Sequence, residues 1–169
     1  MSFAPLIQEM AKMLSNLDGW IEKAREHAKA KSFELDTLLT ARLAPDQFPL
    51  VRQIQSACDA AKFAAARSTG KEAPKHPDTE ATFAELKTRI AAVVEYLKTF
   101  KAEDFAGAED RPVPLGFMPG KGMRGGVYVR EMAVPNFFFH VSHAYAILRH
   151  NGVPLGKMDY IGPTELIDV

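Results

Sequence analysis

The chain has 169 residues, 47% of them hydrophobic and 25% charged, the balance of a folded globular domain rather than of a disordered chain. Its 21 Lys and Arg offset its 21 Asp and Glu, so the formal net charge is zero. The basic surplus with which a binder of nucleic acid or anionic membrane displaces counterions is therefore missing. The one cysteine, Cys58, cannot form an internal disulfide, and no run reaches the ~20 apolar residues of a membrane span. The opening Met1–Glu9 lacks the basic and unbroken apolar regions of a signal peptide. These features lead us to expect one domain over residues 1–169, located in the cytoplasm.

From Phe3 to about Ala30, Leu6, Ile7, Met10, Met13, Leu14, Leu17, Trp20, Ile21 and Ala24 recur at steps of three and four, which gathers them on one stripe of a helix. Pro5 fits the first turn, where its missing N–H costs nothing. Leu35, Leu38, Leu39 and Leu43 form a connecting segment with one or two helical turns, closed by Pro45. A second helix opens near Asp46–Pro49 and runs to Arg67 or Ser68, with Gly70 placed to end it. Its alanines, from Ala57 to Ala66, leave room for a close neighbour. Asp78 or Thr79 is expected to cap a third helix, whose stripe is Phe83, Leu86, Ile90, Val93, Val94 and Leu97.

Arg111–Gly126 holds three prolines and five glycines and cannot stay helical. A small hairpin between Val113–Phe117 and Val127–Val129 is one reading of this insertion. The last apolar segment, Val127–His150, stops at Asn151-Gly152. Pro135 either bends this helix or marks its start near Asn136. The tail, Val153–Val169, is expected to drape over the helices. The whole pattern predicts an all-α fold: a four-helix bundle with a short irregular or hairpin insertion before the last helix.

Chemistry concentrates in that last helix. Asn136, His140, His143 and Ile147 are spaced by four, three and four and share a face. Two imidazoles one turn apart can hold one divalent ion, zinc, nickel or iron. The competing reading is one hydrogen-bonded core histidine and one exposed histidine. Gly120-Lys121-Gly122-Met123-Arg124-Gly125 spells a dinucleotide-binding string, but too little chain remains for the parallel sheet that such a string needs, so it reads as a turn. Cys58 is expected to be a small buried apolar group, and Asp59 and Arg149 a structural pair or solvated charges. Tyr145 and Trp20 read as core residues with a polar tip near water. Phe137, Phe138 and Phe139 cannot all face one side of a helix, so part of the run should meet a partner subunit or the tail.

The segment Pro135–Lys157, with Phe-Phe-Phe-His140, His143-Ala-Tyr-Ala-Ile-Leu-Arg-His-Asn-Gly-Val and Gly156-Lys157, resembles an uncharacterised branch of the DinB/YfiT-like superfamily. Pro45-Asp46-Gln47-Phe48-Pro49-Leu50 and Gln53–Asp59 are similar to it too. The resemblance implies a four-helix bundle, a homodimer, and a divalent metal (zinc or nickel) held by three histidines, one on the second helix and two four apart on the last. His140 matches the final ligand position. Asn136 stands four residues before it and Gln53 falls near the second-helix position, so two of the three places carry amides, which bind such ions poorly; His143 is a candidate replacement. What the resemblance implies is a pocket with His140 and His143 as metal ligands, walled by Gln53 and Asn136, in a metal-dependent hydrolase or thiol transferase. The alternative is a metal-free binding or structural bundle that has lost its ligands. In either case the expected ligand is a small molecule rather than nucleic acid or membrane.

Overall fold

The computed structural model describes residues 2–168. Among these, the helices are α1 (Ala4–Lys31), α2 (Leu50–Thr69), α3 (Phe83–Lys98), the one-turn α4 (Gly125–Tyr128), α5 (Val134–His150) and the short α6 (Lys157–Ile161). A two-stranded antiparallel ladder, β1 (Pro112–Pro114) with β2 (Gly122–Arg124), stands between α3 and α4. Helices α1, α2, α3 and α5 form the bundle: α2 lies against α5 and α3, and α1 against α3 and α5. Among the described residues, no helix is long and apolar enough to cross a membrane.

The apolar stripes face inward as their spacing predicts. Met10, Leu14, Leu17 and Ile21 of α1 are buried with Ile54, Ala57, Ala61 and Ala64 of α2, Leu86, Val93 and Leu97 of α3, and Phe137, Val141, Ala144 and Leu148 of α5. Helix α1 ends where Ser32 adopts a left-handed conformation, and α2 ends at Gly70 (φ 76°), whose N–H donates to the Ala66 carbonyl.

Helix α3 starts later than the sequence suggests. Its cap is Thr82, which accepts from the Glu85 N–H at 3.2 Å while Glu85 accepts from the Thr82 N–H at 3.0 Å, a reciprocal capping box. Asp78 is not free to cap, because its carboxylate reaches Arg89 and Arg52. The hairpin also differs: the strand that pairs with Pro112–Pro114 is Gly122–Arg124, while Val127 and Val129 are already helical. The turn through Gly120 (φ 74°) returns the chain early, with the Leu115 N–H on the Lys121 carbonyl. Gly125 then donates to the Arg111 carbonyl at 2.8 Å. A Cβ there would overlap the Ala108 carbonyl oxygen, so this glycine serves backbone contact. The string Gly120–Gly125 is thus a turn, a strand and a backbone contact.

Pro135 marks the start of the last helix, one residue after its first. It sits in the first turn of α5, directly after a π turn over Val129–Ala133, where the Val134 N–H bonds back to the Val129 carbonyl. Phe137 is buried, Phe138 packs half-buried on the core and Phe139 is 52% exposed. The tail drapes only as far as α6, which docks on α1: the Trp20 indole N–H donates to the Asp159 carbonyl at 2.9 Å, and Asn16 donates to that of Tyr160 at 3.0 Å. Leu166 and Ile167 beyond it are exposed.

Candidate functional site

The site lies between α2 and α5, and its pivot is His140. This residue is 8% exposed, and its Nδ1 is 2.8 Å from Gln53 Oε1 on α2. Gln53 is itself buried, and its Nε2 donates to the Phe48 carbonyl at 3.2 Å. That second bond fixes the amide with its oxygen toward the imidazole, so Nδ1 carries the ring proton and Nε2 is the bare nitrogen. The Phe48 ring lies parallel to the imidazole, centroids 6.5 Å apart. Burial, with the nearby charges of His143 and Arg52, pushes the His140 pKa below its ordinary value, so the ring is neutral at neutral pH. Among the described residues, no hydrogen bond reaches its Nε2.

His140 and Asn136 open onto a cavity of about 370 Å³ that extends along α2 past Ser56, Ala60 and Phe63 to Arg67, and along the α4–π segment to Tyr128, Met132 and Ala133, with exposed Phe117 at its edge. A shallower depression of about 480 Å³ adjoins the other side of Asn136 and His140, between Glu131 and Phe139. A wider groove of about 810 Å³ lies elsewhere, over Phe3, Leu6, Val129 and Val134. It is larger and more apolar, and its two charged groups, Glu109 and Arg130, are already paired with each other at 2.6 Å, so the His140 cavity, with open polar groups to orient a ligand, is the candidate.

At the far end of that cavity, the Arg67 guanidinium lies 4.8 Å from the Phe63 ring centroid and 5.7 Å from that of Tyr128, and donates to the Tyr128 oxygen at 3.3 Å. Among the described residues, no carboxylate pairs with Arg67. Burial pushes the Tyr128 phenol up despite Arg67, so its O–H stays protonated and free to donate.

Asp59 also lines the cavity, but its carboxylate is engaged by Lys62 at 2.7 Å and Arg89 at 2.6 Å. Both cations are buried. Arg89 further binds Asp78 at 2.6 Å and Glu80 at 3.0 Å, and Arg52 binds Asp78 at 2.8 Å. Lys62 meets His76 Nδ1 at 2.9 Å. Three cations (Arg52, Lys62, Arg89) here balance three acids (Asp59, Asp78, Glu80), so Arg67 is the surplus charge of the region. Of the two readings of Asp59 and Arg149, a structural pair or solvated charges, they are not a pair: Asp59 is held by Lys62 and Arg89, while Arg149 on α5 is an exposed, solvated charge.

Of the residues singled out in the sequence, Gln53, Asn136 and His140 converge at one end of the cavity. His143 does not join them. A three-residue step turns 300° around a helix, so His143 falls about 60° from His140; its Nδ1 contacts the Phe139 carbonyl at 2.6 Å and its ring rests on Phe139. Among the described residues, no three His, Cys, Asp or Glu side chains form a group that could hold an ion. Cys58 is fully buried and its thiol is pushed up to about 12 by that burial, so it is no nucleophile. Sequence reasoning missed Arg67, Phe63 and Tyr128. The available signal was the Phe63–Arg67 pair at i, i+4, on the α2 face that also carries Ser56 and Ala60.

The family described as "Domain of unknown function (DUF1993)" matches residues 3–161. The chain belongs to this family. Its structure is similar to the crystal structure of a DinB family member protein from Shewanella denitrificans, with 45% identity, a TM-score of 0.93, and coverage of 96% of this chain and 93% of that one. No protein of curated function matches it. The DinB-like bundle implied by Pro135–Lys157 and Gln53–Asp59 is therefore the fold of this DUF1993 domain.

Proposed function

We propose that this chain is a metal-free, small-molecule-binding bundle whose ligand occupies the α2–α5 cavity. The observation that carries the reading is the Gln53–His140 hydrogen bond. Zinc and nickel sites are assembled from several imidazoles, thiolates or carboxylates. Here, the three positions at which the superfamily resemblance places histidines supply one bare imidazole nitrogen and two amides, and one amide oxygen already accepts the imidazole proton. The lining carboxylate, Asp59, is neutralised by Lys62 and Arg89. This donor set does not fit a resident metal, so we route neither metal-dependent hydrolysis nor metal-assisted thiol transfer through it. A neutral, oriented His140 with an open Nε2 is suited to accept a hydrogen bond from a bound molecule.

The test is metal content and calorimetric titration with zinc and nickel, on protein purified without a histidine tag. The reading expects no stoichiometric ion and the same weak titration for wild type and His140→Ala. One tightly held ion per chain, lost in His140→Ala, would overturn it.

A further inference from the structure

We infer that the ligand of this cavity is a small oxyanion, a carboxylate or a phosphate, carried on an extended apolar body, with Arg67 and Tyr128 holding its head group. The inference rests on the metal-free reading, since with a bound cation the anion's anchor would be the metal rather than Arg67.

Three independent features point to this class. The first is charge. The cations of the neighbouring network each have a carboxylate: Arg52 has Asp78, Lys62 has Asp59, and Arg89 has Asp59, Asp78 and Glu80, while Arg111, outside the cavity at the end of α2, spends its Nε–H on the Ser68 carbonyl. Arg67 is half-buried in the cavity wall and among the described residues has no carboxylate. A half-buried guanidinium without a counter-ion is poised for an anion that arrives with the ligand. The second is presentation. Stacking between Phe63 and Tyr128, and donation of one N–H to the Tyr128 oxygen, hold the planar fork in place and leave its other N–H groups unspent. Because the Tyr128 oxygen accepts from Arg67, its own O–H proton points elsewhere and adds a further donor. Donors alone, with no competing acceptor at that end, select an oxyanion over a neutral amide or alcohol.

The third is shape. Ser56, Ala60, Phe63 and Arg67 lie one face apart at steps of four, three and four along α2, so the cavity runs about 16 Å between its ends. Its middle is walled mostly by Ala60, Phe63, Met132 and Ala133, with the Asp59 carboxylate beside Ala60 already held by Lys62 and Arg89, so this stretch suits an apolar chain better than a polar one. A head group at Arg67 therefore carries an apolar body toward His140, where the bare Nε2 and the Asn136 amide accept or donate to whatever polar atom ends it.

The probes are octanoate, octyl phosphate and the neutral isostere 1-octanol, each titrated calorimetrically with EDTA present and again with one equivalent of zinc. Octanoate, octyl phosphate or both should bind in EDTA, while 1-octanol binds at least about 10-fold more weakly, and Arg67→Gln should weaken the anion at least about 10-fold, as loss of a charged hydrogen bond implies. Comparison of the two anions tells which head group is taken. If Arg67→Gln loses its helical circular dichroism, Tyr128→Phe carries the test, because it keeps the ring under the guanidinium and removes only the O–H; weakened anion binding supports the inference and unchanged binding overturns it. Equal affinity for octanoate and 1-octanol, anion affinity indifferent to Arg67, or no binding of any probe would also overturn it. Anion binding that needs zinc and disappears in His140→Ala would instead overturn the metal-free reading.

Discussion

Two polar regions meet on α2, and they are finished to different degrees. On the α3 side, Arg89, Lys62 and Arg52 are matched by Asp59, Asp78 and Glu80, and Gln55 adds a bond to Glu80 at 2.8 Å. On the α5 side, among the described residues, Arg67 has no carboxylate and His140 Nε2 has no partner. Paired charges are what structure alone requires, because an unpaired buried charge costs several kcal/mol, and only the Arg89 Nε–H is left without an acceptor among the described residues of that network. Open groups beside a cavity are what a ligand completes. The difference separates residues that hold the bundle together from residues that await something else.

The comparison breaks most visibly at Arg89. Replacing it with Met leaves three carboxylates facing one another around a buried site, and should destabilise the fold by about 3–5 kcal/mol, read from the urea midpoint. A loss under ~1 kcal/mol would mean that the network is not structural. Gln53→Leu removes the acceptor of the buried His140 Nδ1–H and should cost about 1–3 kcal/mol, with the His140 ring losing its fixed tautomer. Arg67→Gln gives up only stacking on two rings and a long hydrogen bond, about 1 kcal/mol or less, despite being the same residue type as Arg89.

The network should also show in the pH dependence of stability. Burial, with the charges of Lys62 and Arg89, depresses the His76 pKa below 6.5, so below that pH the unfolded chain takes up a proton that the folded chain refuses. Stability contributed by neutral His76 is full above about pH 6.5 and is lost as pH falls toward its folded-state pKa. Asp78 and Glu80 are also depressed, their burial being outweighed by Arg52, Arg89 and hydrogen bonds, so their contribution persists further into acid and goes only as pH drops below the ordinary carboxylate range. His76→Gln should flatten the slope of urea midpoint against pH between 5 and 7 while leaving the acid limb in place. An unchanged slope would place His76 outside the network.

Much of the fold was legible because its signals are periodic. The stripes Met10–Leu14–Leu17–Ile21 and Leu86–Ile90–Val93–Leu97 place the core of α1 and α3 by phase alone, and Gly70 marks the end of α2. What was not legible depended on competition for a group. Asp78 looks like a helix cap until Arg89 claims it, and Thr82 then takes the role. Val127–Val129 alternates like a strand, but the early turn at Gly120 gives the pairing to Gly122–Arg124 and leaves Val129 to be buried in the π turn. In the site, the four-residue step from Asn136 to His140 survived and the three-residue step to His143 did not, since α2 covers only one side of α5. Arg89 left a signal that sequence reading passed over, a charge set within the stripe of Leu86, Ile90 and Val93. Arg67 left a weaker one, because its lack of a carboxylate partner is visible only in three dimensions.

The account turns on one nitrogen, and nitrogen NMR of histidine-labelled protein reads it directly. For His140 at pH 7, the spectrum should show a neutral ring with the proton on Nδ1 and a bare Nε2, unchanged by one equivalent of zinc. A proton on Nε2, or an Nε2 resonance that moves on adding zinc and returns with EDTA, would contradict both the Gln53 clamp and the metal-free pocket built on it.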